Sequence, residues 1–307
     1  MEKGVVYTII VTYNGMRWID LCLKNLQNQS KIIVVDNNSN DDTVFFITKK
    51  YKEVIILAQN KNYGFGKANN IGISYALAKG AEFVFLLNQD VYVDKDSVPN
   101  LLEVAKNKKE LSVLSPIHLN GKGTALDRYF SFCAHKNSAF KEGNTKVNLY
   151  EVPMVNAAAW FVPTKIFELI GGFDPLFYHY GEDHNFCQRL KYHDFKMYIV
   201  SSIFINHDRA DRLKLAIELF SEAYYVKYEK QLKVNHGDIN ILKIDGVKSK
   251  QKSKYLKRII KGVLSLNLKE IKGYFRQYKM IDPIFESIIS SRALNKQKGV
   301  HYLNQQH

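Results

Sequence analysis

The chain has 307 residues, 46% of them hydrophobic, and a formal net charge of +14 at pH 7. That length accommodates one large α/β domain and an extension, and no stretch of about 18 residues is uninterruptedly apolar, which excludes an evident membrane-spanning helix. Three cysteines (Cys22, Cys133, Cys187) are an odd number without metal-ligand spacing, which argues against a disulfide framework and for buried thiols in a reducing cytosol. The apolar run near the N-terminus is short, has no small-residue cleavage site and leads into a strand pattern, so no signal peptide is expected. The charge is uneven. From Asp208 onward there are 21 Lys+Arg against 10 Asp+Glu, and in the first 207 residues 23 against 20. A basic tail on a near-neutral body argues for a local anionic surface and against a nucleic-acid partner.

Taken in order, Val5–Val11 reads as a strand ending at Thr12-Tyr13-Asn14-Gly15. A helix follows, with Trp18, Leu21, Cys22 and Leu26 spaced for one face. Lys31–Val35 is a second strand, ending at Asp36-Asn37-Asn38-Ser39, and Asp41-Asp42-Thr43 opens the next helix. Val54–Leu57 is a third strand, and the Asn60–Gly66 loop precedes a helix from Lys67. Phe83–Leu87 is five apolar residues in a row, as expected of a strand buried on both faces. It stops at Asn88-Gln89-Asp90. Strands alternating with helices of about a dozen residues imply βαβ units and a mostly parallel sheet. Each strand ends in a polar cluster, so one edge of the sheet collects Asn14, Asp36, Asn60 and Asp90. Ligands bind at that edge in open α/β sheets. Taken alone, Asn88-Gln89-Asp90 reads equally well as a strand-to-turn boundary.

Beyond Asp94 the pattern gives a helix to about Lys108 and a strand at Leu111–Leu114. From His118 to Tyr150 the chain is polar and aperiodic, with glycines at 121, 123 and 143, consistent with a loop or β excursion over a substrate. Met154–Val162 is strand-like, and Ala157–Ala159 leave room for an approaching group. Thr164 starts a short helix closed by Gly171-Gly172. Glu182-Asp183 open a helix through Tyr192; acids there also suit simple capping. Met197–Val200 is a strand, followed by Asn206-His207-Asp208. In the tail, an aromatic-bearing helix is expected over Leu213–Tyr228. Lys248–Lys261 carries seven basic residues and no acid. Tyr255, Leu256, Ile259, Ile260, Val263 and Leu264 recur there at helical spacing. Such a helix reads as a membrane-surface element or as a solvated helix packed on its own domain.

Seven segments carry a specific resemblance: TYN (12–14), VVDNNSNDDT (34–43), NYGFGKANNIGI (62–73), LLNQD (86–90), NAAAWFVP (156–163), GGFDPLF (171–177) and YGEDHNFCQRL (180–190). In this order they resemble family 2 glycosyltransferases with the GT-A fold, most of all the bacterial rhamnosyltransferase-like branch. The resemblance covers about residues 5–208. It implies a GT-A domain over 1–208, an α/β fold with a mostly parallel central sheet flanked by helices. Residues 209–307 form a helical, basic extension, read as membrane-associating.

The resemblance further implies an inverting, metal-dependent transfer of a sugar from dTDP-rhamnose or a UDP-hexose to a hydroxyl of a glycan or lipid-linked acceptor in surface polysaccharide or O-antigen synthesis. By family position, Thr12, Tyr13, Asn14, Asp36 and Asn38 hold the nucleoside, and Lys67 and Asn69 lie near it. Asn88-Gln89-Asp90 takes the place of the family's DXD motif with Asn for the first acid. Asp90 is then a metal ligand, with His207 a second, and Mg²⁺ or Mn²⁺ resting largely on the diphosphate. Glu182 and Asp183 match the catalytic ED pair, with Asp183 favoured as base. Gln89, Trp160 and Arg189 are placed near donor or acceptor; Trp160 and Phe177 could stack on a sugar face, with core packing the favoured role for both. The implied location is cytoplasmic, peripheral on the inner face of the plasma membrane.

The Gly64-x-Gly66 pair lacks the third glycine of a dinucleotide-binding loop. Two rivals are a nucleotidyltransferase on a related fold and a non-catalytic basic binding module. Thr12–Arg17 has a single glycine and a single Arg, poor for a triphosphate. Asp90, Glu182 and Asp183 are superfluous in a binding module.

Overall fold

The computed structural model describes residues 4–138, 140, 148–209 and 216–303. Gly143 and the residues 210–215, where part of the Leu213–Tyr228 helix was expected, lie outside them. The chain divides into two units, Met1–Arg212 with Lys298–His307, and Leu213–Gln297.

The first unit is built on a mixed sheet. Strands β1 (Val6–Thr12), β2 (Lys31–Asp36), β3 (Ile55–Ala58), β4 (Phe83–Asn88), β5 (Val91–Val93), β6 (Ser112–Asn120), β7 (Leu149–Glu151), β8 (Ala159–Pro163) and β9 (Lys196–His207) align in the order β3-β2-β1-β4-β8-β6-β9-β5, with β7 also on β9. The first four in that order are mutually parallel. β8 runs against β4 and β6, and β6 and β9 again share the direction of β4. The sheet is therefore mostly parallel, with β5, β7 and β8 reversed.

The unbroken apolar run of β4 has a direct cause. Val84 and Leu86 enter one core and Phe85 and Leu87 the other, since successive side chains point to opposite faces. Full burial of each such side chain stabilises by roughly 1.5–3 kcal/mol. The face containing Leu86 is covered by α3 (Phe65–Ala78), α5 (Arg128–Ala134), α6 (Thr164–Ile170) and α7 (Glu182–Tyr192). The face containing Phe85 is covered by α1 (Ile19–Lys24), α2 (Thr43–Lys50) and α4 (Ser97–Asn107). Leu303 joins the first core, and the amide of Gly172 donates to the carbonyl of His301 at 2.9 Å.

Several elements differ from expectation. In α1 the buried residues are Ile19, Cys22 and Leu23, while Leu21 is exposed. β5 follows immediately on Asp90, too short for its alternation to register. The stretch after His118 contains α5, capped by Asp127, whose side chain accepts from the amides of Tyr129 and Phe130. β9 extends to His207, well past Val200.

The second unit is helical: α8 (Glu222–Gly237), α9 (Val247–Leu264) and α10 (Leu268–Asn295). Ser221 caps α8 and Asn267 caps α10 by accepting from backbone amides. The expected helix over Leu213–Tyr228 begins only at Glu222. Tyr255, Tyr274, Ile281, Ile284, Phe285 and Ile288 are buried in this unit.

Candidate active site

The parallel strands end in register. Thr12 lies beside Asp36, and Val11 beside Asn88. Directly after β4, the Gln89 side chain latches the end of β1. Its Oε1 accepts from Thr12 Oγ1 at 2.7 Å and from the Tyr13 amide at 3.0 Å. Asp36 is buried, and both carboxylate oxygens are used locally. Oδ1 accepts from Ser39 Oγ at 2.5 Å and Oδ2 from the Ser39 amide at 3.0 Å. Ser39 Oγ accepts in turn from the Asn14 amide at 2.9 Å, and Asn14 Oδ1 accepts from the Asn40 amide at 2.8 Å. Two loops are thereby sewn into one rim.

The loop before α3 joins the same rim. Asn37 Oδ1 accepts from the Tyr63 amide at 3.1 Å, and its Nδ2 donates to the Gly64 carbonyl at 3.2 Å. Gly64 has φ of 80°, and a Cβ there would lie 2.0 Å from the Tyr178 carbonyl oxygen, so no other residue fits. Gly66 brings α3 against α7: a Cβ on it would lie 3.5 Å from Glu182 Cβ. Asn70 fixes the approach, exchanging two hydrogen bonds of 2.7 Å with the backbone of Phe173.

Gly181, at φ 111°, turns the chain into α7 and puts Glu182 and Asp183 in its first turn, where the helix dipole favours negative charge. Glu182 is buried and Asp183 partly exposed. Asp183 Oδ1 accepts from the His184 amide at 2.8 Å and lies 3.1 Å from His184 Nδ1. His184 Nε2 is 3.3 Å from the Tyr129 hydroxyl. Burial first, then neighbouring Cys133 and Asp183, push the Tyr129 phenol above its ordinary range, so it stays protonated.

A second carboxylate–imidazole pair lies at the corner after β4. His207 Nε2 is 3.4 Å from Asp90 Oδ1, and both side chains are almost wholly buried. Neither His207 ring nitrogen makes a hydrogen bond. The Asp208 amide donates to the Asp90 carbonyl at 2.8 Å, holding the two chain segments together. His118 packs near His207, with ring centroids 6.2 Å apart; burial, then the neighbouring His207, hold His118 well below the usual histidine range. Asp127 is buried, which alone raises a carboxyl, yet its pairing with Arg209 and the Phe130 amide hold it below the ordinary value. Among the described residues no group of three or more His, Cys, Asp and Glu is spaced to hold a metal. Asp90 and His207 supply two donors of suitable type, with unpaired imidazole nitrogens, and fit a cation that takes its other ligands from a diphosphate and water.

The expected residues divide accordingly. Tyr13, Asn14, Asp36 and Asn38 sit on the rim, Asn38 exposed with φ of 67°. Lys67 is exposed, its ammonium 4.4 Å from the centre of the Tyr63 ring. Thr12 and Gln89 are spent on each other and shape the edge from within. Four residues are packed in the core or spent on backbone carbonyls. Trp160 is fully buried, packed on Phe173 and Phe186 at centroid distances of 6.1 and 5.6 Å, because its position in β8 faces the core. Phe177 is likewise buried. Arg189 is buried about two turns along α7 from Glu182 and donates to the carbonyls of Ile170 (2.6 Å) and Gly172, bracing the glycine turn. Asn69 is buried, and its Nδ2 donates to the Phe65 carbonyl one turn back at 3.0 Å.

Two residues were missed. Asn156 Oδ1 and both polar side-chain atoms of Asn185 are buried without hydrogen bonds, a costly state that a bound polar ligand relieves. Asn185 lies three residues after Glu182 on α7, and Asn156 directly precedes the alanine run.

Comparison with known proteins gives the family and the fold. Residues 7–171, more than half the chain, match the family profile described as glycosyl transferase family 2. The chain is 25% identical over 214 residues to the dTDP-rhamnosyl transferase RfbF of Shigella flexneri, covering 67% of this chain and 70% of that one. It is 24% identical over 191 residues to the low-salt glycan biosynthesis hexosyltransferase Agl10 of Haloferax volcanii, covering 60% of each. Crystal structures of S. aureus TarS 1-349 share the fold. The complex with UDP-GlcNAc gives a TM-score of 0.55 at 15% identity, covering 95% of this chain and 88% of that one, and the UDP complex 0.52 at 14%, covering 95% and 90%. The chain belongs to glycosyl transferase family 2, and it is a glycosyltransferase.

Proposed function

We propose that the enzyme moves a sugar, with inversion, from a nucleoside-diphosphate sugar to an acceptor hydroxyl at the C-terminal edge of the sheet. One observation carries this reading: the Asp36 rim, the Gln89-Asp90 corner and the Glu182-Asp183 turn are tied to one another by the Gln89, Asn37 and Gly66 contacts. The relatives named for dTDP-rhamnosyl and hexosyl transfer, and the UDP and UDP-GlcNAc complexes of TarS, support dTDP-rhamnose or a UDP-hexose as donor.

In this reading Asp36 and the backbone of Tyr13 and Asn14 receive the nucleoside. Lys67 reaches toward the diphosphate. Asp183 takes the proton of the acceptor hydroxyl as its oxygen bonds to the anomeric carbon and the carbon–diphosphate bond breaks on the opposite side. General-base help of this type is typically worth ~10²–10⁴-fold. His184 and the protonated Tyr129 orient that carboxylate. Asp90 and His207 would hold Mg²⁺ or Mn²⁺, which supplies charge neutralisation for the leaving diphosphate. The acceptor is a lipid-linked glycan of surface polysaccharide or O-antigen assembly, met at the inner face of the plasma membrane. The exposed cationic helix α9 supports this.

The test is a panel of nucleotide sugars incubated with Mn²⁺ or Mg²⁺, then with EDTA, with release of nucleoside diphosphate and the anomeric configuration of the product both followed. One donor class is expected to turn over, to invert, and to stop in EDTA. No turnover of any donor with metal present, or a retained anomer, would sink the reading.

A further inference from the structure

The helical unit contains a cleft of about 590 Å³ between α8 and α9. Its walls combine three cations, Lys227, Lys254 and Arg258, with three aliphatic side chains, Ile217, Leu219 and Leu232. Tyrosines line the floor, where Tyr228 meets Tyr255 edge to face at 5.6 Å. Among the described residues no carboxylate lines it. Those nearby are engaged elsewhere: Glu222 by Arg276, Glu229 by Lys233, and Asp282 by Lys248 and Lys252. His236 adds no charge at neutral pH, because burial, then Arg292, hold it below the usual histidine value. The amide oxygen of Gln251, also in the lining, is buried without a hydrogen bond. A flipped amide would present two N–H donors there.

The surface of α9 leads into this cleft. Leu256, Ile260, Val263 and Leu264 are 49, 52, 52 and 82% exposed and share one stripe by helical spacing. Lys250, Lys257 and Lys261 lie beside the stripe, and Lys254 and Arg258 continue round to the cleft. The order round the helix is apolar stripe, cation band, cationic cleft. That is the order of hydrocarbon, interface and phosphate at a bilayer surface.

We propose that the α8–α9 cleft is a binding site for an amphiphile with a phosphate or diphosphate head. The phosphate sits among Lys227, Lys254 and Arg258, and the first carbons of the chain lie against Ile217, Leu219 and Leu232. This deepens the membrane part of the proposed function and is independent of the sugar-transfer chemistry. A soluble phosphate source would use the cations alone; a lipid source uses both walls.

The test is titration of the full chain, by calorimetry, with monomeric dihexanoyl phosphatidic acid, inorganic pyrophosphate and dihexanoyl phosphatidylcholine. The phosphatidic acid is expected to bind at least about tenfold more tightly than either other probe. Lys254→Gln with Arg258→Gln is expected to lower that affinity about tenfold or more. Because Arg258 also donates to the Tyr274 hydroxyl, Lys227→Gln on the facing helix repeats the measurement without touching that contact. Leu256→Ser with Ile260→Ser should keep affinity for the monomeric probe while losing binding to phosphatidylglycerol-containing vesicles. Equal affinity for pyrophosphate and phosphatidic acid, or unchanged affinity in both cleft variants, overturns the proposal. Vesicle binding that survives in the Leu256/Ile260 variant, with the soluble probe still bound, leaves the cleft standing and faults only the membrane reading.

Discussion

The sheet unit and the helical unit dispose of apolar side chains in opposite ways. At the sheet, the apolar residues are inside and polar side chains gather at one edge, where nearly every one is tied to a neighbour. On α9, Leu256, Ile260, Val263 and Leu264 are left in solvent beside lysines. The first arrangement is an edge whose side chains are held in place by their neighbours, as the proposed donor site requires. The second is an exposed apolar stripe beside a cation band, which the proposed reading covers with an apolar, anionic partner.

The comparison breaks most sharply at Asp183. Asp183→Asn is expected to lower turnover by ~10²–10⁴-fold while nucleotide affinity stays within a few-fold. Stopped assays of donor consumption beside equilibrium titration check it, and full activity moves the base elsewhere. Next in size is Trp160→Ala, which as a core truncation should cost roughly 3–5 kcal/mol of stability, read by chemical denaturation. The milder Trp160→Phe should leave KM for donor unchanged; a raised KM would restore Trp160 to the sugar pocket. Gly64→Ala should then destabilise by about 1–3 kcal/mol and loosen donor binding, since it pushes the α3 loop off Tyr178.

Acid should separate the units further. His118 is held below its ordinary value, so below about pH 6.5 the unfolded chain takes a proton that the native ring does not, and stability falls with pH. Asp127 is held low by Arg209 and adds a second loss as pH drops through the ordinary aspartate range, because its favourable pairing needs the charged form. His118→Gln should flatten the dependence between pH 7 and 5, and an unchanged slope would assign it to other groups. Smallest is the effect of single charges on α9. Lys250→Gln, Lys257→Gln and Lys261→Gln should each weaken binding to anionic vesicles roughly fivefold, and more so at low salt. No change for any of them would make α9 an ordinary solvated helix.

Much of the sheet was legible because its physics is local. Five consecutive apolar residues at Phe83–Leu87 have one economical solution, burial on both faces, and the polar residues that follow must then lie at the edge. That logic puts Asp36 and Asp90 at the strand ends, and motif order puts Glu182 and Asp183 at the opening of a helix, where they lie. What failed depended on facing. Trp160, Arg189 and Asn69 have the right chemistry for a ligand, but whether a side chain in β8, α7 or α3 points to the core or the cleft is set by register with distant elements. α5 was missed because its cap, Asp127, is stabilised by Arg209, 82 residues away. Asn156 and Asn185 were passed over because an isolated asparagine signals nothing until its burial is known.

The return of Leu303 and His301 to the first core has a practical consequence for anyone dissecting the enzyme. In chain terms Leu213–Gln297 is an insertion with the sheet unit on both sides of it. Trimming from the C-terminus therefore strips the backbone partner of Gly172 and opens the hydrophobic interior before it removes the helices. A clean excision must be internal, rejoining the chain across the gap, and a crude truncation that kills activity would say nothing about what the helices do.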